Sequence, residues 1–206
     1  MRRINIVTTD HPNYEEIIKN KYTVTGQNPE GDRRIPKKDV LRRDVANAYY
    51  ELLSAINWEN EILVRGLREG LNKFLSNAFL RLNQKRKYLQ GDYYSKEALR
   101  KLSLQDYSDL VYEHIVPKQK FIQRPCEEAA KEKELTLEFV TTLLEKYWHI
   151  AIITKDEDKI ITRCMPNGWN GKDLFVRYQS AGVHLIPATE ARNLLPRPIA
   201  QDWVSI

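Results

Sequence analysis

Apolar residues recur at helical spacing in two long stretches of the N-terminal half. The first stretch follows Asp39, a residue type that caps helix starts, and its apolar positions are Val45, Tyr49, Leu52, Leu53 and Ile56. The second runs from Trp58 to about Tyr88 as one apolar stripe. Gly66 and Gly70 lie four residues apart on this stripe, where they would let a neighbouring helix approach closely. The pattern predicts two helices packed as a hairpin.

The second half of the chain has shorter apolar runs separated by turn signals. In chain order they predict a strand at 109–117, helices at 118–134 and 135–148, a buried strand at 150–154, a short helix at 173–178 and a strand at 183–186. Pro117 would stop the first of these strands. The acidic turn 155–159 would join the buried strand to residues 160–162 as a hairpin.

Together these elements predict an α+β protein, mainly α, in which an N-terminal helical hairpin packs on a small mixed α/β unit. Residues 1–104 would hold a basic arm and the hairpin, and 105–206 the α/β unit with the candidate site; the two could equally form one compact domain. Ahead of the hairpin, residues 4–9 predict a short strand and 20–38 an irregular arm.

Composition narrows the class of protein. With 206 residues, 42% of them hydrophobic, the chain can bury a core of ordinary size. No apolar run approaches the roughly 18 residues that span a bilayer, and the two cysteines lack zinc-site spacing, so we expect a cytoplasmic protein with reduced thiols. Residues 1–105 carry 20 Lys/Arg against 13 Asp/Glu, while 106–206 carry 13 against 15. A positive field in one half favours a polyanion such as nucleic acid, although a merely basic surface would explain it equally well.

Three pairs of basic residues cross the arm and the start of the first helix: Arg33, Arg34, Lys37, Lys38, Arg42 and Arg43. No helix dipole accounts for them, so we expect them to contact phosphates of a nucleic acid, with DNA the expected polymer. A plain solvated surface is the alternative. The loop 165–169 with Arg177 and Tyr178 is a second candidate binding edge, since aromatic rings and Arg suit stacking on bases. A homodimer through the helical hairpin is a further expectation.

The segment Glu113-His114-Ile115-Val116-Pro117 resembles the opening motif of HNH nucleases, a family with a ββα-metal fold. The resemblance implies that His114 is the general base that activates water against a phosphodiester, and that Glu113 binds a divalent cation. An imidazole titrating near neutrality can accept the water's proton, while the metal stabilises charge on the phosphorane. The family's later Asn and His are missing from 118–148. The place of these residues could be taken by Asn167, Asn170 and Asp173. This substitution requires that the helical segment is an insertion between two strands.

A second segment, Glu157-Asp158-Lys159, resembles the (D/E)xK half of the PD-(D/E)xK nucleases. The resemblance implies that two carboxylates hold Mg²⁺ and that Lys159 orients or activates the attacking water, with Asp109 or Glu113 supplying the other carboxylate. The alternative for the triplet is that it forms the tip of a hairpin. The alternative for His114 is that it is a structural strand residue whose ring is hydrogen-bonded by a nearby carboxylate. If the two strands are neighbours, one cation could be shared by Glu113, His114, Glu157 and Asp158.

We therefore expect a divalent-metal-dependent endonuclease that cleaves phosphodiester bonds, with Mg²⁺ or Mn²⁺ as cofactor and restriction or mobile-element defence as its setting. In this interpretation His114, Glu113 and Lys159 are catalytic, and the metal ligands are Glu113, Glu157 and Asp158. The alternative is a non-catalytic nucleic-acid-binding or assembly protein, and a third hypothesis is a protein-interaction module indifferent to nucleic acid. The sequence does not decide whether the chain is an enzyme.

Overall fold

The computed structural model describes residues 38–80 and 84–195. Within these ranges lie eight α-helices: α1 (Lys38–Ala55), α2 (Glu61–Leu80), α3 (Lys96–Ser103), α4 (Arg124–Lys131), α5 (Leu137–Tyr147), α6 (Lys155–Ile160), α7 (Val176–Ser180) and α8 (Ala188–Leu194). The strands of the same ranges are β1 (Tyr93–Ser95), β2 (Leu110–His114), β3 (Ile150–Thr154) and β4 (Leu185–Pro187). A 3₁₀ turn (Gln84–Leu89) follows α2, and a π-helical turn (Gln119–Gln123) precedes α4. The described chain is therefore a mainly helical α+β structure, as predicted.

The strands form one mixed sheet in the order β2-β3-β1-β4. Strands β2 and β3 are antiparallel, with Glu113 opposite Ala151 and His114 opposite Ile150, while β1 runs parallel to β3 and antiparallel to β4. Every residue of β3 is buried, and its sequence, Ile-Ala-Ile-Ile-Thr, is the near-continuous apolar run of a strand covered on both faces. Because β1 precedes residue 105, the sheet joins residues from both predicted domains, and the domain boundary itself stays a prediction.

Helices cover one face of the sheet. Helix α1 packs against α2 and α5, and the core at this face contains Tyr49, Leu53, Leu71, Leu75, Phe79, Leu144 and Trp148. The buried positions of α1 and α2 are those of the predicted apolar stripes, so the helical hairpin is confirmed. The side chains of Ile150 and Ile152 in β3 belong to this core.

A smaller core lies on the opposite face, because successive residues of a strand point to opposite sides of a sheet. The side chains of Ala151 and Ile153 pack there, against residues from the segment that follows α6 and from the chain after β2: Ile115, Val116, Ile161, Met165, Tyr178 and Val183. This second core determines where the candidate site can form, since residues 161–183 close over the sheet beside Glu113.

The predicted hairpin at 155–162 is wrong, because residues 155–160 form helix α6 directly after β3. The Thr154 side chain accepts a hydrogen bond from the Glu157 backbone N–H, and the Glu157 side chain accepts one from the Thr154 backbone N–H. This reciprocal capping box satisfies two backbone donors at the helix start. The capping box outweighs the turn-like composition of the five charged residues 155–159.

The predicted close helix approach at Gly66 and Gly70 is not found in the part of the chain that the structure describes. Both glycines are exposed, and a Cβ added to either would meet no heavy atom within 4 Å. Ile62, one turn earlier on α2, is 86% exposed. The predicted strand at 4–9 and the arm up to residue 37 lie outside the described residues. No helix within 38–80 or 84–195 has the length and apolar character needed to cross a membrane.

Candidate active site

The structure places Glu113 and His114 on opposite faces of the sheet. They are consecutive residues of β2, so the alternation of an extended strand sends one side chain to each side. Glu113 contacts Arg177 beside the smaller core, while His114 packs against Trp148 and Ser76 in the helical layer. The predicted convergence of these two residues on one cation is therefore not observed.

His114 lies in a largely apolar environment. Its ring makes edge contacts with Trp148 and Tyr112 at centroid distances of 4.6 and 6.3 Å. Its Nε2 lies 3.5 Å from the Ser76 hydroxyl oxygen, and its Nδ1 is buried without a hydrogen-bond partner among the described residues. Burial, with smaller effects from the cations of Lys118 and Arg177, lowers the pKa of His114 to about 3. The imidazole is thus neutral and turned away from Glu113.

The three consecutive acids of α6 point in three directions. Asp156 pairs with Lys159 on the surface at 2.8 Å. Glu157 turns inward, where its Oε2 accepts hydrogen bonds from the Ser95 hydroxyl at 2.7 Å and from the Thr154 backbone at 2.8 Å. Asp158 is exposed and makes no hydrogen bond or ion pair with any described residue. Glu157 is therefore occupied with helix capping, and Asp158 is the acid of this helix that is open to a ligand.

Asp158 shares an open cleft with Glu113. The cleft has a volume of about 630 Å³ and is lined by Glu113, Pro117, Asp158, Lys159, Ile161, Arg163 and Arg177. Burial and the nearby negative charge of Asp158 raise the pKa of Glu113, while the hydrogen bond from Arg177 opposes this shift. Two carboxylates from different elements, β2 and α6, thus influence each other across one cavity.

Arg177 holds the cleft in shape. Its side chain is 1% exposed, and its guanidinium donates to the backbone carbonyl oxygens of His114, Ile115 and Thr162 at 2.6 to 3.2 Å. Nη2 also donates to Glu113 Oε1 at 3.1 Å. These bonds tie the end of β2 to the chain after α6. The predicted role of Arg177 and Tyr178 in a base-binding edge does not fit this placement, since both side chains are buried.

Two further cations line the cleft and are exposed. Lys159 is paired with Asp156, but both side chains are more than two-thirds exposed, so the pair is easily separated. Arg163 makes no hydrogen bond or ion pair with the residues that the structure describes. Arg163 is not predicted from the sequence, because nothing in its neighbourhood along the chain forms a motif.

The basic set predicted to contact phosphates is only partly described. Arg33, Arg34, Lys37 and the side chain of Lys38 lie outside the described residues. Arg42 is 16% exposed and donates to the carbonyl oxygen of Trp148 at 3.0 Å, with Asp92 3.9 Å away, so it links α1 to the end of α5. Arg43, in contrast, has an exposed side chain. The structure thus gives Arg42 a packing role and leaves Arg43 open to solvent.

Two of the other predicted oxygen ligands, Asn170 and Asp173, serve local turns. Asn170 Oδ1 accepts from the Lys172 backbone, and Asp173 Oδ1 accepts from the Phe175 backbone. Asp109 pairs with Lys155 at 2.8 Å. Within 38–80 and 84–195, no three His, Cys, Asp or Glu side chains lie close enough together to hold a metal ion. The carboxylates that line the cleft are those of Glu113 and Asp158.

The order of elements around the cleft is strand, strand, helix. Strands β2 and β3 are antiparallel neighbours although helices α4 and α5 lie between them in the chain, and α6 follows β3 at once. Comparison of the chain with family models, with curated proteins and with solved structures found no match.

Proposed function

We propose that the chain is a divalent-metal-dependent nuclease whose metal ligands are Glu113 and Asp158. One observation carries the proposal: two carboxylates from β2 and α6 line one open cleft that also contains the exposed cations Lys159 and Arg163. Hard cations such as Mg²⁺ are commonly held by one or two carboxylates together with phosphate oxygens of the substrate. The cleft offers this ligand set without a third protein ligand.

The cations of the cleft give it affinity for phosphate. Arg163 presents a planar set of donors that matches phosphate oxygens, and it has no partner among the described residues to give up. Lys159 can exchange its exposed bond to Asp156 for a phosphate. These contacts position a nucleic acid by its backbone and do not select a sequence.

The resemblance to HNH nucleases supports the same site in part. The residue matching the metal-binding acid of that family is Glu113, and the chain order β2, β3, α6 with an insertion between the strands agrees with a ββα unit. The family's general base, however, corresponds to His114, which is on the other face of the sheet. A divalent cation held by Glu113 and Asp158 would supply the activation of the attacking water, and we assign no role in that step to His114.

The test is incubation of plasmid DNA and structured RNA with purified protein in Mg²⁺, in Mn²⁺ and in chelator. We expect metal-dependent cutting that falls about 100-fold or more in Glu113→Gln and Asp158→Asn, since each removes a ligand that stabilises charge in the transition state. Asp156→Asn is the matched control on the same helix, and it should cut like the wild type. His114→Gln should also retain cutting.

The opposite results are equally informative. Loss of cutting in His114→Gln, with Asp158→Asn active, would restore the general base implied by the HNH resemblance and remove the assignment made here. No cutting by the wild type in any metal, combined with salt-dependent retention of nucleic acid, would favour the non-catalytic binding protein.

A further inference from the structure

Three aromatic rings lie together and pack against the smaller core. Phe121 comes from the π-helical turn, Tyr147 from the end of α5 and Trp169 from the loop after α6. The ring centroid distances are 5.0 Å for Phe121 and Trp169, 5.7 Å for Phe121 and Tyr147, and 6.0 Å for Tyr147 and Trp169. All three side chains are half-buried, so each ring keeps part of its surface in solvent.

Two lysines stand over these rings. Lys120 Nζ lies 5.5 Å from the centroid of Phe121, and Lys146 Nζ lies 5.0 Å from that of Tyr147. Both lysines are exposed, and neither has a carboxylate partner among the described residues. We call Lys120, Phe121, Lys146, Tyr147 and Trp169 the aromatic–lysine surface. It combines apolar ring area with positive charge that no described acid neutralises.

The loop carrying Trp169 is held against this surface. Trp169 Nε1 donates to the Asp173 carbonyl oxygen at 2.8 Å, which fixes the indole. Gly171 has a φ of +78°, and a Cβ there would lie 3.2 Å from the Tyr147 hydroxyl oxygen. A residue with a side chain would be strained at this φ and crowded by Tyr147. The loop therefore presents its tryptophan in one position.

The surface and the cleft are connected through the chain after β2. The Phe121 backbone N–H donates to the carbonyl oxygen of Pro117, a residue that lines the cleft. Ile161, also a cleft residue, packs in the same small core as Phe121 and Trp169. Residues of the aromatic–lysine surface and of the cleft thus pack on one core.

We infer that the aromatic–lysine surface binds unpaired nucleotides, and that the nucleic acid taken by the cleft is therefore single-stranded next to the bond to be cut. This inference rests on the proposed function for the identity of the polymer as a nucleic acid, but it does not depend on cleavage of that polymer. Stacking on aromatic side chains needs an accessible base face, which a single strand offers and a duplex hides between neighbouring base pairs. Lysines beside the rings supply the phosphate contacts that accompany such stacking.

The experiment measures binding in chelator, where cleavage cannot occur. Fluorescence anisotropy compares a labelled 15-nucleotide single strand, as DNA and as RNA, with a duplex of the same sequence. We expect the single strand to bind about tenfold more tightly than the duplex, and Trp169→Ala to lose about tenfold of single-strand affinity. The double substitution Lys120→Gln and Lys146→Gln should make the slope of log affinity against log salt concentration less steep. The expected change corresponds to about one to two phosphate contacts.

A matched control lies elsewhere on the molecule. Trp58 is half-buried with Lys131 Nζ 5.7 Å from its ring, and its Nε1 donates to the Leu53 carbonyl oxygen. Trp58→Ala and Lys131→Gln should leave affinity for the oligonucleotide unchanged. Because the lysine variants alter only exposed side chains, they test the inference even if Trp169→Ala disturbs the loop.

The possible results separate this inference from the proposed function. Equal affinity for single strand and duplex, or lysine and Trp169 variants that bind like the wild type, would remove it while leaving the metal site untested by this assay. Binding to vesicles of anionic lipid without binding to oligonucleotide would reassign the surface to membranes. Single-strand binding by a protein that never cuts would keep this inference and reject the nuclease.

Discussion

At the level of single residues, Arg177 organises the cleft more than any acid in it. Its guanidinium is buried and bonds to three backbone carbonyl oxygens and to Glu113. A buried charge without partners is costly, and so are buried acceptors left without a donor. The residue therefore stabilises the fold and fixes the position of Glu113 at the same time.

We predict that Arg177→Met lowers the free energy of unfolding by about 3–5 kcal/mol, because it leaves Glu113 and the carbonyl oxygens without their donor. Urea denaturation followed by circular dichroism measures the change. Arg163→Met is the control, since Arg163 is exposed and has no described partner, and it should change stability by less than about 0.5 kcal/mol. Equal effects of the two substitutions would contradict the bonding described here.

His114 makes a prediction about pH. Its native pKa of about 3 lies below the value near 6.5 expected in the unfolded chain, so below pH 6.5 the unfolded state binds more protons than the native state. The free energy of unfolding should therefore decrease as the pH falls from about 6.5 to about 3. Between pH 7 and pH 4.5 we expect the wild type to lose about 2 kcal/mol more than His114→Gln. Parallel pH profiles of the two proteins would show that His114 is not buried as a neutral ring.

At the level of elements, helix α6 depends on its capping box. We predict that Glu157→Ala lowers the free energy of unfolding by about 1–3 kcal/mol, since it removes the acceptor for the Thr154 backbone and the Ser95 hydroxyl. Asp156→Ala, on the exposed side of the same helix, should cost less than about 1 kcal/mol. A Glu157→Ala protein as stable as the wild type would instead leave this carboxylate available as a metal ligand.

The elements also show how far sequence reasoning extends. The periodicity of α1 and α5 and the apolar run of β3 predict those elements correctly, because burial of one face leaves a repeating signal. The stripe from Trp58 to about Tyr88 predicts α2 but extends it too far, since the helix ends at Leu80 and residues 84–89 form a 3₁₀ turn. The hairpin prediction at 155–160 is wrong because the charged residues have a turn-like composition. The helix of this segment is signalled by Thr154 and Glu157, three residues apart, which is the spacing of a capping box.

At the level of the whole molecule, the site could be predicted only in part. The predicted ligands Glu113 and Asp158 share the cleft, whereas His114 and Glu157, which are predicted with them, do not face it. The direction of consecutive side chains depends on which face of the sheet is buried by which layer. The face to which each side chain points is fixed by pairing between β2 and β3, which are separated in the chain by helices α4 and α5. This pairing is a long-range property without a local signal in the sequence.

At the same scale, the described cations of the two proposed binding surfaces are found near the smaller core. Lys159 and Arg163 line the cleft together with Ile161, and Lys120 and Lys146 stand over rings that pack against that core. The basic residues selected from the sequence are instead concentrated at and before the start of α1.

The central claim is that Glu113 and Asp158 hold a divalent cation together with a phosphate, and Mn²⁺ binding tests it most directly. Electron paramagnetic resonance can measure Mn²⁺ bound by the protein with and without a cleavage-resistant phosphorothioate oligonucleotide. We predict tight binding only in the presence of the oligonucleotide, weakened at least about tenfold by Asp158→Asn and unchanged by Asp156→Asn. Identical Mn²⁺ binding by the wild type and Asp158→Asn would contradict the claim.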